Sequence, residues 1–135
     1  MLRKVLAGLA VIVLAGCGTF HGGINSASLA PAAPMPPDHY VVFFAPRTAQ
    51  LAVDAQEIVR EAAAAAKLRK ASKIEIAVPP AVPGGSNVVE DRYTAIQNII
   101  SAAGMDPGLY KHVVLSSDAM VLPGGVDRAE IRLIQ

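Results

Sequence analysis

The sequence predicts an α/β sandwich of the α+β kind, ordered β-α-β-α-β-β, with two helices packed on a small mixed sheet. Three observations lead there. Short β-branched and aromatic runs recur at Tyr40–Phe44, Ser72–Val78, His112–Leu115 and Val126–Ile134, each of strand length. Two longer stretches between them carry apolar residues at helical spacing. Interleaved strands and helices that are apolar on one side only bury that side best when the helices cover a sheet.

Tyr40-Val41-Val42-Phe43-Phe44 is stopped by Pro46 and reads as a buried strand. Leu51 to Lys70 reads as a helix. Leu51, Ala55, Ile58, Val59, Ala62 and Ala66 share one broad face, and Ala62 to Ala66 is an unbroken run of strong helix formers. Asp54 and Glu57 stand early and Lys67, Arg69 and Lys70 late, an order that suits the helix dipole. Ser72 to Val78 alternates Ile74, Ile76 and Val78 with Lys73 and Glu75, as a half-buried strand does. Regular structure should stop in Pro79-Pro80-Ala81-Val82-Pro83-Gly84-Gly85. A second helix follows, with Asn87 as its N-cap and Glu90 three positions on, an asparagine version of the capping box. Ile96, Ile99, Ile100 and Ala103 supply its apolar stripe, Gly104 suits the C′ position, and Pro107 comes shortly after. His112–Leu115 is a short third strand and Ser116–Gly125 a loop. Val126–Ile134 closes the sheet, with Ile131 and Leu133 facing inward.

Composition excludes several functions. The formal net charge is +1, and removing Arg3 and Lys4 turns the balance slightly acidic. Neither that balance nor any basic stripe with interleaved aromatics invites nucleic acid. Trp is absent and aromatics make up 4% of the chain, so the core must be aliphatic. His21, His39 and His112 are not spaced with one another or with the single cysteine for zinc. Ser116-Ser117-Asp118 lacks the Gly-x-Ser-x-Gly elbow and looks like turn chemistry. Gly84-Gly85-Ser86 and Gly124-Gly125 lack the lysine of a phosphate loop, and Met35, Met105 and Met120 are too scattered for copper. The expectation is no catalytic residue, no metal and no enzyme.

The amino-terminal segment decides location. Arg3 and Lys4 precede an apolar run from Val5 to Ala15, the charged and hydrophobic regions of an export signal. That run makes roughly 16 Å of helix against about 30 Å of bilayer hydrocarbon, too short to span comfortably. Its ending, Leu14-Ala15-Gly16-Cys17, resembles the bacterial lipobox. The resemblance implies cleavage before Cys17, a diacylglycerol on its thiol and a further acyl chain, such as palmitate, on the new terminus. Gly18, where an aspartate would retain a lipoprotein at the inner membrane, implies the outer membrane. Covalent lipid is the one cofactor-like group expected, and anchors with more than one chain hold stably. Residues 18–37 have linker composition, with Gly22-Gly23, then Pro31, Pro34, Pro36 and Pro37 among alanines. They suit a semi-stiff leash of at most about 65–70 Å. The chain thus divides into a lipoprotein signal peptide (1–16), the lipidated cysteine with its linker (17–39) and a folded domain (40–135).

Three blocks of that domain resemble the OmpA-like periplasmic domain, the module by which outer-membrane proteins and lipoproteins grip peptidoglycan. Val42-Phe43-Phe44 with Leu51 and Asp54-Ala55-Gln56-Glu57-Ile58 is similar to the family's opening strand and helix. Glu90-Asp91-Arg92-Tyr93-Thr94-Ala95-Ile96, leading to Ala102-Ala103-Gly104-Met105-Asp106-Pro107, is similar to its second helix and the turn beyond. Asp127-Arg128-Ala129-Glu130-Ile131-Arg132-Leu133-Ile134 is similar to its closing strand. The family binds the diaminopimelate of the stem peptide, with an arginine for its carboxylate and an aspartate for its ammonium. The arginine matches Arg92; the aspartate is replaced by Ala81 in a shortened loop, and the leucine-serine before the arginine by Val88-Val89. Arg92 is therefore the candidate peptidoglycan contact, or else an exposed helical cation paired with an acid.

These readings imply an outer-membrane lipoprotein with its domain in the periplasm. The expected role is structural, with peptidoglycan and other envelope proteins as partners and a standard ligand grip lost or weakened. The alternative is an assembly or interaction subunit of an envelope secretion or conjugation apparatus that has lost peptidoglycan binding.

Overall fold

In the computed structural model, which describes residues 32–82 and 85–135, seven strands and α-helices follow one another. They are β1 (His39–Phe43), α1 (Val53–Arg69), β2 (Lys73–Val78), α2 (Ser86–Ala102), β3 (Tyr110–Val114), α3 (Ser117–Met120) and β4 (Arg128–Ile134). The expected signal segment, Cys17, the first part of the linker and Pro83-Gly84 lie outside the described residues.

The sheet is mixed, in the order β1-β4-β2-β3. β4 runs antiparallel to both β1 and β2, while β2 and β3 are parallel. A parallel pair needs a crossover, and α2 supplies it between β2 and β3. The register pairs Val42 with Ala129, Tyr40 with Ile131, Ile76 with Ile131 and Ile74 with Leu133, so these residues share one face. That face is buried against Val59, Ala62 and Ala66 of α1 and Ile96 and Ile100 of α2. Burying one such aliphatic side chain contributes about 1.5–3 kcal/mol. The alanines of α1 have no bulk beyond Cβ, which lets the helix lie close to the strands. Ile131 and Leu133 point inward, as their alternation predicts.

The helix ends show where local chemistry overrides the pattern. α1 starts at Val53, because Leu51 is taken by an antiparallel bridge to Phe44. It closes on Lys70 in the left-handed conformation (φ 54°), with Lys70 N–H donating to Lys67 O and Ala71 N–H to Ala66 O. α2 starts at Ser86, so Asn87 lies inside the first turn and is not the N-cap. Gly85 caps instead, at φ 111°, a backbone value that glycine reaches without steric penalty, and no side-chain cap is made. The expected glycine stop is present: Gly104 (φ 84°) donates to Ser101 O and Met105 N–H to Ile100 O, a Schellman ending. Lys67 Nζ also donates to Ala103 O, tying the end of α2 to α1.

The Ser116–Gly125 loop contains a helix. Ser116 Oγ accepts from Ala119 N–H at 3.3 Å, and Ala119 is buried with Ala77 and Leu115. The hydroxyl chemistry expected to make a turn caps α3 instead. Val126 sits in a 3₁₀ turn (Gly125–Asp127), which delays the closing strand to Arg128. β3 begins at Tyr110, two residues before the expected start. Hydrogen bonding also reaches back before Tyr40, with Arg69 donating to Pro36 O at 2.7 Å and Leu133 N–H to Asp38 O at 2.8 Å.

Candidate functional site

Arg92 stands on the first half of α2, one helical turn before Ile96 and two before Ile100. Spacing of four puts it on the buried stripe of the helix, and its side chain has no exposed surface. A buried guanidinium must have its donors satisfied, and here three acceptors from two segments satisfy them. Nε donates to Thr48 O, Nη1 to Val126 O and Nη2 to Asp127 Oδ1, each at 2.7 Å. The Phe44 ring lies beneath, 4.7 Å from the guanidinium carbon, within cation–π range. Asp127 also accepts the Arg47 N–H at 3.4 Å, and its main-chain oxygen accepts from Phe44 N–H. Arg92 thus knots α2 to the loop after β1 and to the turn before β4.

Tyr93, the next residue, fastens α2 on the other side. Its hydroxyl donates to Val113 O at 2.6 Å, and its ring stacks on His112 with centroids 3.9 Å apart. Burial pushes the Tyr93 phenol above its usual pKa. His112 is in turn hydrogen-bonded to Gln97 at 2.6 Å.

The connection before α2 carries no matching acid. Val78 and Pro79 are buried, while Pro80 and Ala81 are exposed. A cavity of about 270 Å³ is lined by Pro80, Ala81, Val82, Gly85 and Val89, without Arg92. Glu90 and Asp91 are exposed, and among the described residues neither makes an ion pair. The carboxylate that does meet Arg92 is Asp127, by direct contact and not across a pocket. Arg92 is therefore paired with an acid but buried, whereas the helical-cation reading had it exposed. Cys17 lies outside the described residues.

A second charged cluster is not legible from the sequence as a site. Glu130, 3% exposed, accepts from Arg128 Nε on one oxygen, with Arg128 Nη2 3.0 Å from it, and from Arg132 Nη2 and His39 on the other. Burial raises its pKa, but the hydrogen bonds from Arg132, His39 and Arg128 outweigh that and hold it below the ordinary value. Alternation along β4 places Arg128, Glu130 and Arg132 together; only the strand register adds His39. Among the described residues, no group of three His, Cys, Asp or Glu side chains is placed to hold a metal.

No protein-family model matches the chain, and comparison with curated proteins finds no relative. Solved structures do match. The OmpA-like domain of FopA1 from Francisella tularensis superposes with a TM-score of 0.55 at 14% identity, covering 69% of each chain. The peptidoglycan-associated lipoprotein from Burkholderia pseudomallei gives 0.54 at 17% identity, over 69% of this chain and 88% of that one. The cell wall anchor of the T6SS from Pseudomonas aeruginosa gives 0.50 at 18% identity, over 72% and 82%. None of the three is described as an enzyme. With its four-stranded mixed sheet and covering helices, the domain has the OmpA-like fold.

Proposed function

We propose that this chain is a structural, non-enzymatic protein of the bacterial cell envelope. In this reading Cys17 carries the lipid anchor in the outer membrane, and the OmpA-like domain stands in the periplasm beside the peptidoglycan. The observation that carries it is the fold. Two of its structural neighbours are described as a peptidoglycan-associated lipoprotein and a cell wall anchor.

Direct wall binding through Arg92 would be weak. A stem-peptide carboxylate would have to displace Asp127 or a carbonyl from a guanidinium with no exposed surface. Each charge-assisted bond so lost is worth about 1.5–3 kcal/mol. At Ala81 no carboxylate waits for the ammonium. This geometry favours the second reading, an interaction subunit of an envelope secretion or conjugation apparatus that has given up peptidoglycan binding.

Full-length protein in detergent, mixed with purified sacculi, separates the two. Co-sedimentation that falls in a folded Arg92→Lys variant supports wall contact through this residue. Absence of co-sedimentation supports the interaction subunit, whose partner in-cell crosslinking would then recover. Mass spectrometry tests the anchor independently: an intact, unmodified Cys17 would remove it.

A further inference from the structure

The sheet face turned away from α1 and α2 carries an excess of positive charge that the net balance of the chain conceals. By register, Lys73, Lys111, Arg128 and Arg132 stand on that face with only Glu75 and Glu130 as acids. Glu75 is engaged by Lys111 at 3.7 Å. Glu130 sits at the centre, almost buried, with both oxygens occupied.

We propose that Arg132 and His39, held in place by Glu130, form a receptor for a small oxyanion, a phosphate or a carboxylate group. Four observations converge on it. His39 and Arg132 are cross-strand partners, so their side chains rise next to each other. Both are fixed on the same oxygen, Glu130 Oε2, at 2.9 and 2.8 Å. That fixing lowers the side-chain entropy an incoming anion would otherwise have to remove. Arg132 uses one N–H on Glu130, and among the described residues its other four have no protein acceptor. Its side chain is 51% exposed, so those donors face solvent.

The fourth observation is space. A cavity of about 260 Å³ is lined by Asp38, His39, Arg132, Leu133 and Ile134, directly beside the pair. That is room enough for a small anionic group. Asp38 stands on its rim but is drawn toward Arg69, at 3.7 Å. Glu130 cannot serve as the anion itself, because its oxygens are already shared among Arg128, Arg132 and His39. One carboxylate thus orients two guanidiniums and leaves at least one positive charge uncancelled. A planar guanidinium fork is suited to both carboxylate and phosphate.

The test uses the full chain with Cys17→Ser, so that no lipid is attached, in detergent micelles. Inorganic phosphate and, separately, acetate are titrated while NMR follows the His39 ring and the Arg132 side chain. Saturable shifts are expected, weakened about tenfold or more in Arg132→Gln and less in Arg132→Lys, which keeps charge but loses the fork. Arg60→Gln, which removes an exposed cation elsewhere, should leave them unchanged. An unaltered backbone spectrum shows that each variant is folded. Vesicles of phosphatidylcholine with and without phosphatidylglycerol identify the source. Binding that needs phosphatidylglycerol and Arg132 supports the receptor with a lipid headgroup as its ligand. Phosphate shifts without such binding support it with a free or polymer-borne anion. Non-saturable shifts with both anions, or equal weakening by Arg60→Gln, would overturn the proposal.

Discussion

Replacing Arg92 by alanine removes a guanidinium that no solvent reaches and strands the groups it serves. Thr48 O and Val126 O lose a donor each, and Asp127, 19% exposed, loses its charge partner. Breaking a buried pair by deleting one member typically costs about 3–5 kcal/mol, much of it the penalty on the acid left behind. The lost contact with Phe44 deepens the loss, although contributions from neighbouring groups are not additive. For a domain of this size, where each kcal/mol moves the midpoint by about 4–8 °C, the melting temperature should fall by more than about 12 °C. Urea unfolding followed by circular dichroism measures the free energy. Arg92→Lys should recover part of the loss, since one ammonium reaches fewer acceptors than the fork does. Asp127→Asn, which keeps the shape and removes the charge, should cost less than Arg92→Ala, and the double variant less than the two single losses combined. A residue reserved for an outside ligand would behave differently, with little effect on stability and a large one on binding. A loss below about 1 kcal/mol for Arg92→Ala would refute the reasoning that this side chain is a strut.

Three further outcomes follow from the helix ends and the charged cluster. Lys70→Gly relieves a left-handed backbone at φ 54° and should raise unfolding stability by about 0.5–1 kcal/mol in the same urea assay, within the usual penalty for a non-glycine residue there. Gly125→Ala should lower it by about 1–3 kcal/mol, because a Cβ would run into the Met120 main chain, which has no flexible end to move aside. Glu130 gives a pH dependence. Its pKa is lower in the folded protein than its ordinary 4.5, so its contribution to stability is complete above that value and is lost as pH falls through the folded pKa. Glu130→Gln should therefore weaken the protein most near neutrality and flatten the acid limb of the stability profile; parallel profiles for the two proteins would count against it.

Periodicity made most of the fold legible. Alternation in Ile74-Glu75-Ile76 and the spacing of Ile96 and Ile100 reflect which side is buried, and apolar burial is the strongest force favouring the folded state. The misplaced boundaries share a cause. Leu51, Asn87 and Val126 each have the right local propensity, but a tertiary bridge, a glycine cap and a 3₁₀ turn claim them first. Two of these rivals are themselves local, Gly85 two residues before Asn87 and Gly125 one before Val126, so neighbouring signals of similar strength compete for the boundary. α3 is a different case: Ser116 is legible as a residue that bonds to the backbone, and the same bond serves a turn or a helix cap.

The candidate site was half legible for a related reason. Arg92, Ile96 and Ile100 fall on one helical line, so the sequence did hold the cue that position 92 faces inward. Its acceptors come from Thr48, Val126 and Asp127, up to 44 positions away, and no spacing rule reaches that far. The consequence for function is specific. An arginine that can bind an outside carboxylate and an arginine that locks three segments make opposite demands on the same N–H groups. Here those groups are committed inside the domain, whereas Arg132 on the far face of the sheet keeps most of its own toward solvent. The arginine that similarity to the OmpA-like domain marks for an outside ligand is thus the one whose donors are already spent. Arg92 is built into the domain, and under the receptor proposed above the donors left for an outside anion are those of Arg132 on the closing strand.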